Sequence, residues 1–177
     1  MEHLGTITLE SKRLILRKIK YEDSEEIFLG LRNQEEFLYY TNKEKVSLDE
    51  QKNSLKDIDE KYKNLDYYNW AITKKDDFKI VGMINFRVNE HNNSVEFNYA
   101  TDNRYTGNGY MTEALKLVTK FALEELKVNR IQGGCAIENF ASKKVMEKCG
   151  YNFEGTLKKY LKLKDGYHDM HMFSITN

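Results

Sequence analysis

From Met111 onward the apolar residues Met111, Ala114, Leu115, Val118, Ala122 and Leu126 recur at i, i+3, i+4 spacing, the period of a helix with one buried face. A thinner stripe of Leu48, Leu55, Ile58 and Tyr62 runs through the charged stretch SLDEQKNSLKDIDEKYKN and predicts a helix beginning near Ser47. YEDSEEIFLGLRN predicts a helix capped near Asp23 or Ser24, and FASKKVMEKCG predicts another. Elsewhere the pattern is that of strands. TITLESKRLILRKI reads as one strand with a turn at Glu10–Lys12, and YYNWAIT, KIVGMINFRV and SVEFNYAT as three in a row, joined by the polar turns KKDD and NEHNN. RIQGGCAI adds a strand, and GTLKKYLKL with HDMHMFSIT forms a hairpin through the turn KDG. An antiparallel run therefore precedes a β-α-β-α segment, which predicts a mixed α/β (α+β) fold in a single domain over residues 1–177.

Composition narrows the function classes. A hydrophobic content of 40% with 12% aromatic residues supports a folded core in a chain of 177 residues. Lys+Arg and Asp+Glu balance at 28 each, so no global field draws the chain to nucleic acid or to a membrane. LKKYLKLK (157–164) is the one basic stretch, and its lysines read as the wet side of a strand. No apolar run approaches the roughly 20 residues of a membrane span. The N-terminal residues lack the basic and apolar regions of a secretory signal. Cys135 and Cys149 are the only cysteines, and His3, His91, His168 and His171 are scattered. That spacing fits no metal site and points to a reduced, cytoplasmic setting.

The glycines ahead of the long helix raise a chemical question. Gly107 and Gly109 sit one residue apart before Tyr110. Glycines there permit positive φ and bring bare backbone close to a guest, and the free N–H groups of a helix start favour an anion, above all a phosphate. A P-loop is excluded because Gly109 is followed by Tyr110 and Met111. A dinucleotide fingerprint is disfavoured by Thr112 where glycine or alanine is needed, and by the preceding meander. On spacing alone, a strand-to-helix turn with no ligand stands equally open.

The surrounding residues carry a resemblance. RYTGNG (104–109) fits the Arg/Gln-x-x-Gly-x-Gly/Ala signature of the GCN5-related N-acetyltransferases (GNAT). EFNYATDNRYTGNGYMTEAL, ENFASKKVMEKCGYNFEGTL, the closing KDGYHDMHMFSI and the opening ESKRLILRKIKYEDSEEI resemble, in order, blocks of the RimJ/RimL-like branch that acetylates ribosomal-protein N-termini. The resemblance implies a bent, mixed, mostly antiparallel sheet, splayed between strands 4 and 5 and flanked by about four helices. Acetyl-CoA would lie in the splay as cosubstrate, without a metal. Tyr99, Ala100 and Thr101 would meet the pantetheine amides. Arg104, Tyr105, Thr106, Gly107, Asn108, Gly109 and Tyr110 would wrap the pyrophosphate, and Asn139 would hold the pantetheine arm. The chain departs from the family at Asn103, Thr106 and Asn108, where proline, an aromatic residue and a cation are usual.

The same resemblance suggests the catalytic groups. At pH 7 about a tenth of an α-amine is already neutral, against roughly one in 2,500 for a free lysine side chain, so an α-amine needs only a modest base. Glu96, inside SVEFNYAT, matches the family glutamate beside the splay, although a strand glutamate can simply face solvent. The tyrosine acid of many relatives is replaced by Met146, and Ser142 is the branch's donor to the leaving thiolate. Asn139 and Ser142 serve equally well as helix caps. The acceptor is expected to be a protein N-terminal α-amine, with a small-molecule amine (polyamine, aminoglycoside or amino-acid conjugate) as the alternative and a non-catalytic CoA-binding regulator as a further one. The segment 41–66 and the hairpin near Lys164–His168 would frame its groove, and a homodimer through the last strands stays open.

Overall fold

The computed structural model describes residues 1–177. Eight strands form one sheet in the order β1-β2-β3-β4-β5-β6-β8-β7. They are β1 (Leu9–Glu10), β2 (Leu14–Lys18), β3 (Tyr68–Lys74), β4 (Ile80–Asn89), β5 (Ser94–Thr101), β6 (Arg130–Ala136), β7 (Asn152–Leu163) and β8 (Gly166–Thr176). The turn expected near Glu10–Lys12 divides the opening strand into the antiparallel pair β1 and β2. Every neighbouring pair is antiparallel except β5 and β6.

The parallel pair is where the sheet opens. Its register stops after Ser94↔Arg130, Val95↔Ile131 and Glu96↔Gln132, while β5 runs on to Thr101 and β6 to Ala136. This is the expected splay, between the fourth and fifth strands when β1 and β2 are counted as one. Phe97 is the wedge. A Cβ on Gly133 of β6 would lie 2.3 Å from the Phe97 ring, so the bare backbone of RIQGGCAI is what admits the ring where the strands part.

Helices cover both faces. Ser24–Ile27 (α1) continues as a π turn over Phe28–Arg32, followed by α2 (Glu35–Thr41), α3 (Leu48–Leu55) and α4 (Ile58–Lys61). The long helix α5 (Tyr110–Lys120) likewise ends in a π turn, Phe121–Glu125, and α6 (Phe140–Lys148) precedes the last hairpin. Met111, Ala114, Leu115, Val118 and Ala122 of the predicted stripe are buried in the main core with Trp70, Phe97 and Phe173. A smaller core under α1, α3 and α4 gathers Ile19, Ile27, Leu55, Ile58 and Tyr62 on the opposite face.

Three expectations need correction. The helix foreseen from Ser47 does start there, with Ser47 Oγ accepting from the Glu50 N–H and Glu50 Oε2 accepting from the Ser47 N–H, but it breaks at Asp57. The break lets the Tyr62 hydroxyl accept from the Ile19 N–H at 2.8 Å and donate to the Asn69 carbonyl at 2.7 Å. Helix α2 leaves no signal in the sequence, because Leu38 is its only fully buried residue and one apolar position makes no stripe. The lysines of β7 do not mark one wet face either. Lys159 takes a left-handed φ of 49° at a register shift between Leu157 and Leu161, and Tyr160 is exposed too.

Candidate active site

The loop between β5 and α5 has the geometry that its glycines suggest. Gly107 has φ 80° and Gly109 φ 76°, the left-handed region that favours glycine. The first helical bond of α5 runs from the Glu113 N–H to the Gly109 carbonyl, and the N–H groups from Gly107 through Thr112 have no acceptor in the chain. A Cβ on Gly107 would meet nothing within 4 Å, so the loop is uncrowded at that glycine. Six free amides at the positive end of an eleven-residue helix form an anion cradle, and they fit the diphosphate of a CoA thioester.

The cradle is the mouth of a cavity of about 380 Å³. Tyr99, Ala100 and Thr101 of β5 line one side of it, Tyr105, Thr106, Gly107, Gly109 and Tyr110 the loop end, and Asn139 and Ser142 of α6 the other side. The β5 edge facing the cavity is unpaired beyond Glu96, so its amides and carbonyls are available to an extended chain that carries amides of its own. Asn139 caps α6, its Oδ1 accepting from the Ser142 N–H at 3.0 Å. The Tyr99 hydroxyl lies 2.7 Å from Ser142 Oγ, and burial pushes the phenol far up, so it stays protonated. Phe97 stacks parallel to Tyr99 and edge-on to Tyr151, which anchors to Thr119 Oγ1 at 2.7 Å.

Three sequence candidates stand apart from the cavity wall. Arg104 turns its guanidinium onto Asp102, which is fully buried, with its Nε 3.0 Å from both carboxylate oxygens. Burial alone would raise that carboxyl, but hydrogen bonds and charge from Arg104, with Gln34, hold it below the usual range. Gly30 in the α1 π turn leaves room for this pair, since a Cβ there would lie 2.3 Å from Asp102 Oδ2. Asn108 folds back, its Nδ2 donating to the Tyr105 carbonyl at 3.1 Å. Glu96 sits on the last paired rung, on the opposite face of β5 from Tyr99. Its Oε2 accepts from Gln132 Nε2 at 3.4 Å, and Arg87 lies 3.9 Å away.

Other residues reach the site from distant sequence. Arg13, in the β1–β2 turn, donates to the Asn108 carbonyl at 3.0 Å and to Glu113 Oε2 at 2.7 Å, and covers the Tyr110 ring at 4.6 Å. It brings to the loop the cation that Asn108 does not supply. Lys144 and Lys148 of α6 line the cavity as well. Glu36, Phe37, Tyr40 and Thr41 of α2 line it too. Beyond them an open groove of about 570 Å³ runs between α2, Lys45 and Lys164 of the last hairpin. Of the segment 41–66, only Lys45 lines that groove. His168 pins the hairpin, with Nε2 2.8 Å from Asp165 Oδ1 and Nδ1 against Glu138, while the Tyr39 hydroxyl donates to Asp165.

Burial pushes the thiols of Cys135 and Cys149 up to about 11, which keeps them protonated. No group of three or more His, Cys, Asp or Glu side chains is placed to hold a metal ion, and no helix is long and apolar enough to cross a membrane.

Residues 13–152 match the family model for the acetyltransferase (GNAT) domain. The probable N-acetyltransferase YjcK of Bacillus subtilis is 28% identical over 176 residues, covering 96% of this chain and 97% of that protein. The ribosomal-protein-serine acetyltransferase of Escherichia coli is 28% identical over 106 residues, 59% of this chain and 58% of that one. Among solved structures, the GNAT-family acetyltransferase of Bacillus anthracis superposes with a TM-score of 0.84 at 24% identity, covering 96% of this chain and 98% of that chain.

Proposed function

The chain belongs to the GNAT family and is an acetyl-CoA-dependent N-acetyltransferase, and we propose that its acceptor is a protein N-terminal α-amine in the cytoplasm. One observation carries this reading. The cavity shares its α2 wall, at Glu36 and Tyr40, with an open groove and not with a closed pocket. Small-molecule sites enclose most of their ligand, whereas an open groove admits the end of a longer chain. The name of the Escherichia coli relative, a ribosomal-protein-serine acetyltransferase, points the same way.

In this reading the free amides of Gly107–Thr112 hold the diphosphate, and the unpaired edge of β5 aligns the pantetheine so that the thioester lies beside Ser142. The amine nitrogen attacks the thioester carbon, a C–N bond forms and the C–S bond breaks. The departing thiolate takes a proton from Ser142 Oγ, and the N–H proton that the nitrogen sheds as the amide forms returns to the hydrogen-bonded Ser142–Tyr99 pair. Glu96, the base expected from the sequence, lies off the cavity wall and would reach the amine only through water. The exposed edge of β7, with Phe153, Leu157 and Tyr160, is where a second copy would pair.

The test is thiol release from acetyl-CoA with peptides beginning Ser, Ala or Met, set beside polyamines, aminoglycosides and amino-acid conjugates. Turnover on the peptides supports the proposal. Turnover confined to small amines overturns it and leaves the acetyl-transfer chemistry in place.

A further inference from the structure

The cofactor cavity and the acceptor groove share two residues, Glu36 and Tyr40. They stand four apart on α2 and so project from one face of the helix. An acyl group enters from the cavity and an amine from the groove, so a side chain on both walls is one that can touch the nitrogen as it attacks. Glu36 is exposed, and its carboxylate takes part in none of the chain's side-chain hydrogen bonds or ion pairs. Glu96, by contrast, is engaged by Gln132 and Arg87 on the far face of β5. Tyr40 packs edge-on to Tyr39 at 5.0 Å. Burial first, then the charges of Glu138 and Glu36, keep its phenol protonated.

We propose that Glu36 and Tyr40 form the seat of the acceptor amine, with Glu36 as the counter-ion of the incoming ammonium and the acceptor of its proton. The inference rests on the acetyl-transfer reading above. About nine-tenths of an α-amine arrives as ammonium at pH 7, so a carboxylate at the junction concentrates it there. Glu36 takes the ammonium proton before attack and passes it to bulk water, which the exposed side chain reaches; the neutral nitrogen then bonds to the acetyl carbon, and the N–H proton it sheds as the amide forms makes good the one given to the thiolate. The Tyr40 phenol donates to, or accepts from, the nitrogen and fixes its approach. Proton and charge balance: ammonium and acetyl-CoA become amide, CoA thiol and one released proton.

The experiment compares Glu36→Gln, Glu36→Asp, Tyr40→Phe and Glu96→Gln by steady-state thiol release, on whichever amine of the panel turns over fastest. Acetyl-CoA affinity is read separately by calorimetry. Glu36→Gln is expected to lower kcat/KM for the amine about a hundredfold with acetyl-CoA affinity unchanged, and Glu36→Asp to recover most of it. Tyr40→Phe should lose about tenfold. Glu36→Gln within twofold of the parent overturns the inference, whatever Glu96→Gln does. If small amines alone are turned over, the α-amine reading fails while Glu36 is still scored on those amines.

Discussion

The Tyr99 hydroxyl of β5 lies 2.7 Å from Ser142 Oγ of α6, so one hydrogen bond links the two walls of the cavity beside the glycine loop. It couples a strand whose edge would align the pantetheine to a helix whose cap, Asn139, shares the same end. If this pair protonates the leaving thiolate, Ser142→Ala should lower kcat about a hundredfold with little change in KM for acetyl-CoA. Tyr99→Phe should give a smaller loss, because Ser142 keeps its own proton. Equal kcat in the parent and Ser142→Ala, followed by thiol release, would sink the assignment.

Gly107 separates conformational cost from crowding. A Cβ there meets nothing within 4 Å, but at φ 80° a side chain carries about 1–2 kcal/mol of strain. Gly107→Ala should therefore leave the fold intact and weaken acetyl-CoA binding tenfold or more, as the cradle shifts to relieve the strain. Isothermal titration with CoA reads this directly, and an unchanged Kd would remove the loop from the binding site.

Arg13 predicts a salt effect. Its guanidinium is tied to Asn108 and Glu113 beside the free amides, which places a positive charge near the expected diphosphate. Arg13→Ala should weaken CoA binding about tenfold at low salt, and the gap from the parent should narrow as ionic strength rises. A difference that is constant with salt would instead indicate a packing role for the β1–β2 turn.

At the other end of the site, His168 sets a pH window for the last hairpin. Its hydrogen bond to Asp165, with Glu138 also close, raises it above its ordinary value of 6.5. The stabilisation is fully present below that ordinary value and fades as pH rises through the raised one. Asp165 is lowered, first by its hydrogen bond to His168, so its share is present above 3.8 and lost as pH falls through the depressed value. The protection factors for amide exchange in residues 163–168, with the intrinsic pH dependence divided out, should be highest in the acidic window between those limits and lower at pH 8. A rate in His168→Gln that tracks the parent at every pH would contradict this.

Gly133 tests the wedge. Gly133→Ala puts a methyl group 2.3 Å from the Phe97 ring in a packed core, which should cost about 1–3 kcal/mol and displace the ring. Thermal unfolding measures the cost. A second substitution, Phe97→Leu, should restore part of it if the clash is with the ring.

The sequence by itself determined much of this protein. Periodicity marked the strands and the α5 stripe, local chemistry placed the Ser47 cap and the Lys164–Asp165 hairpin turn, and RYTGNG marked the glycine-bearing loop. Each of these signals lies within a few residues, because turns, caps and amphipathic faces are short-range consequences of side-chain chemistry. Tertiary structure decided the rest. Only the folded chain brings Arg13 to Asn108, some ninety residues on, sets the Phe97 ring on Gly133 where β5 and β6 part, and turns Arg104 from the cavity onto Asp102. It also placed Glu36 and Tyr40, on a helix too short and too little buried to leave a pattern, at the wall shared by the cavity and the open groove beside it. Contacts between distant segments depend on how the sheet twists and parts, and no local spacing of residues encodes them.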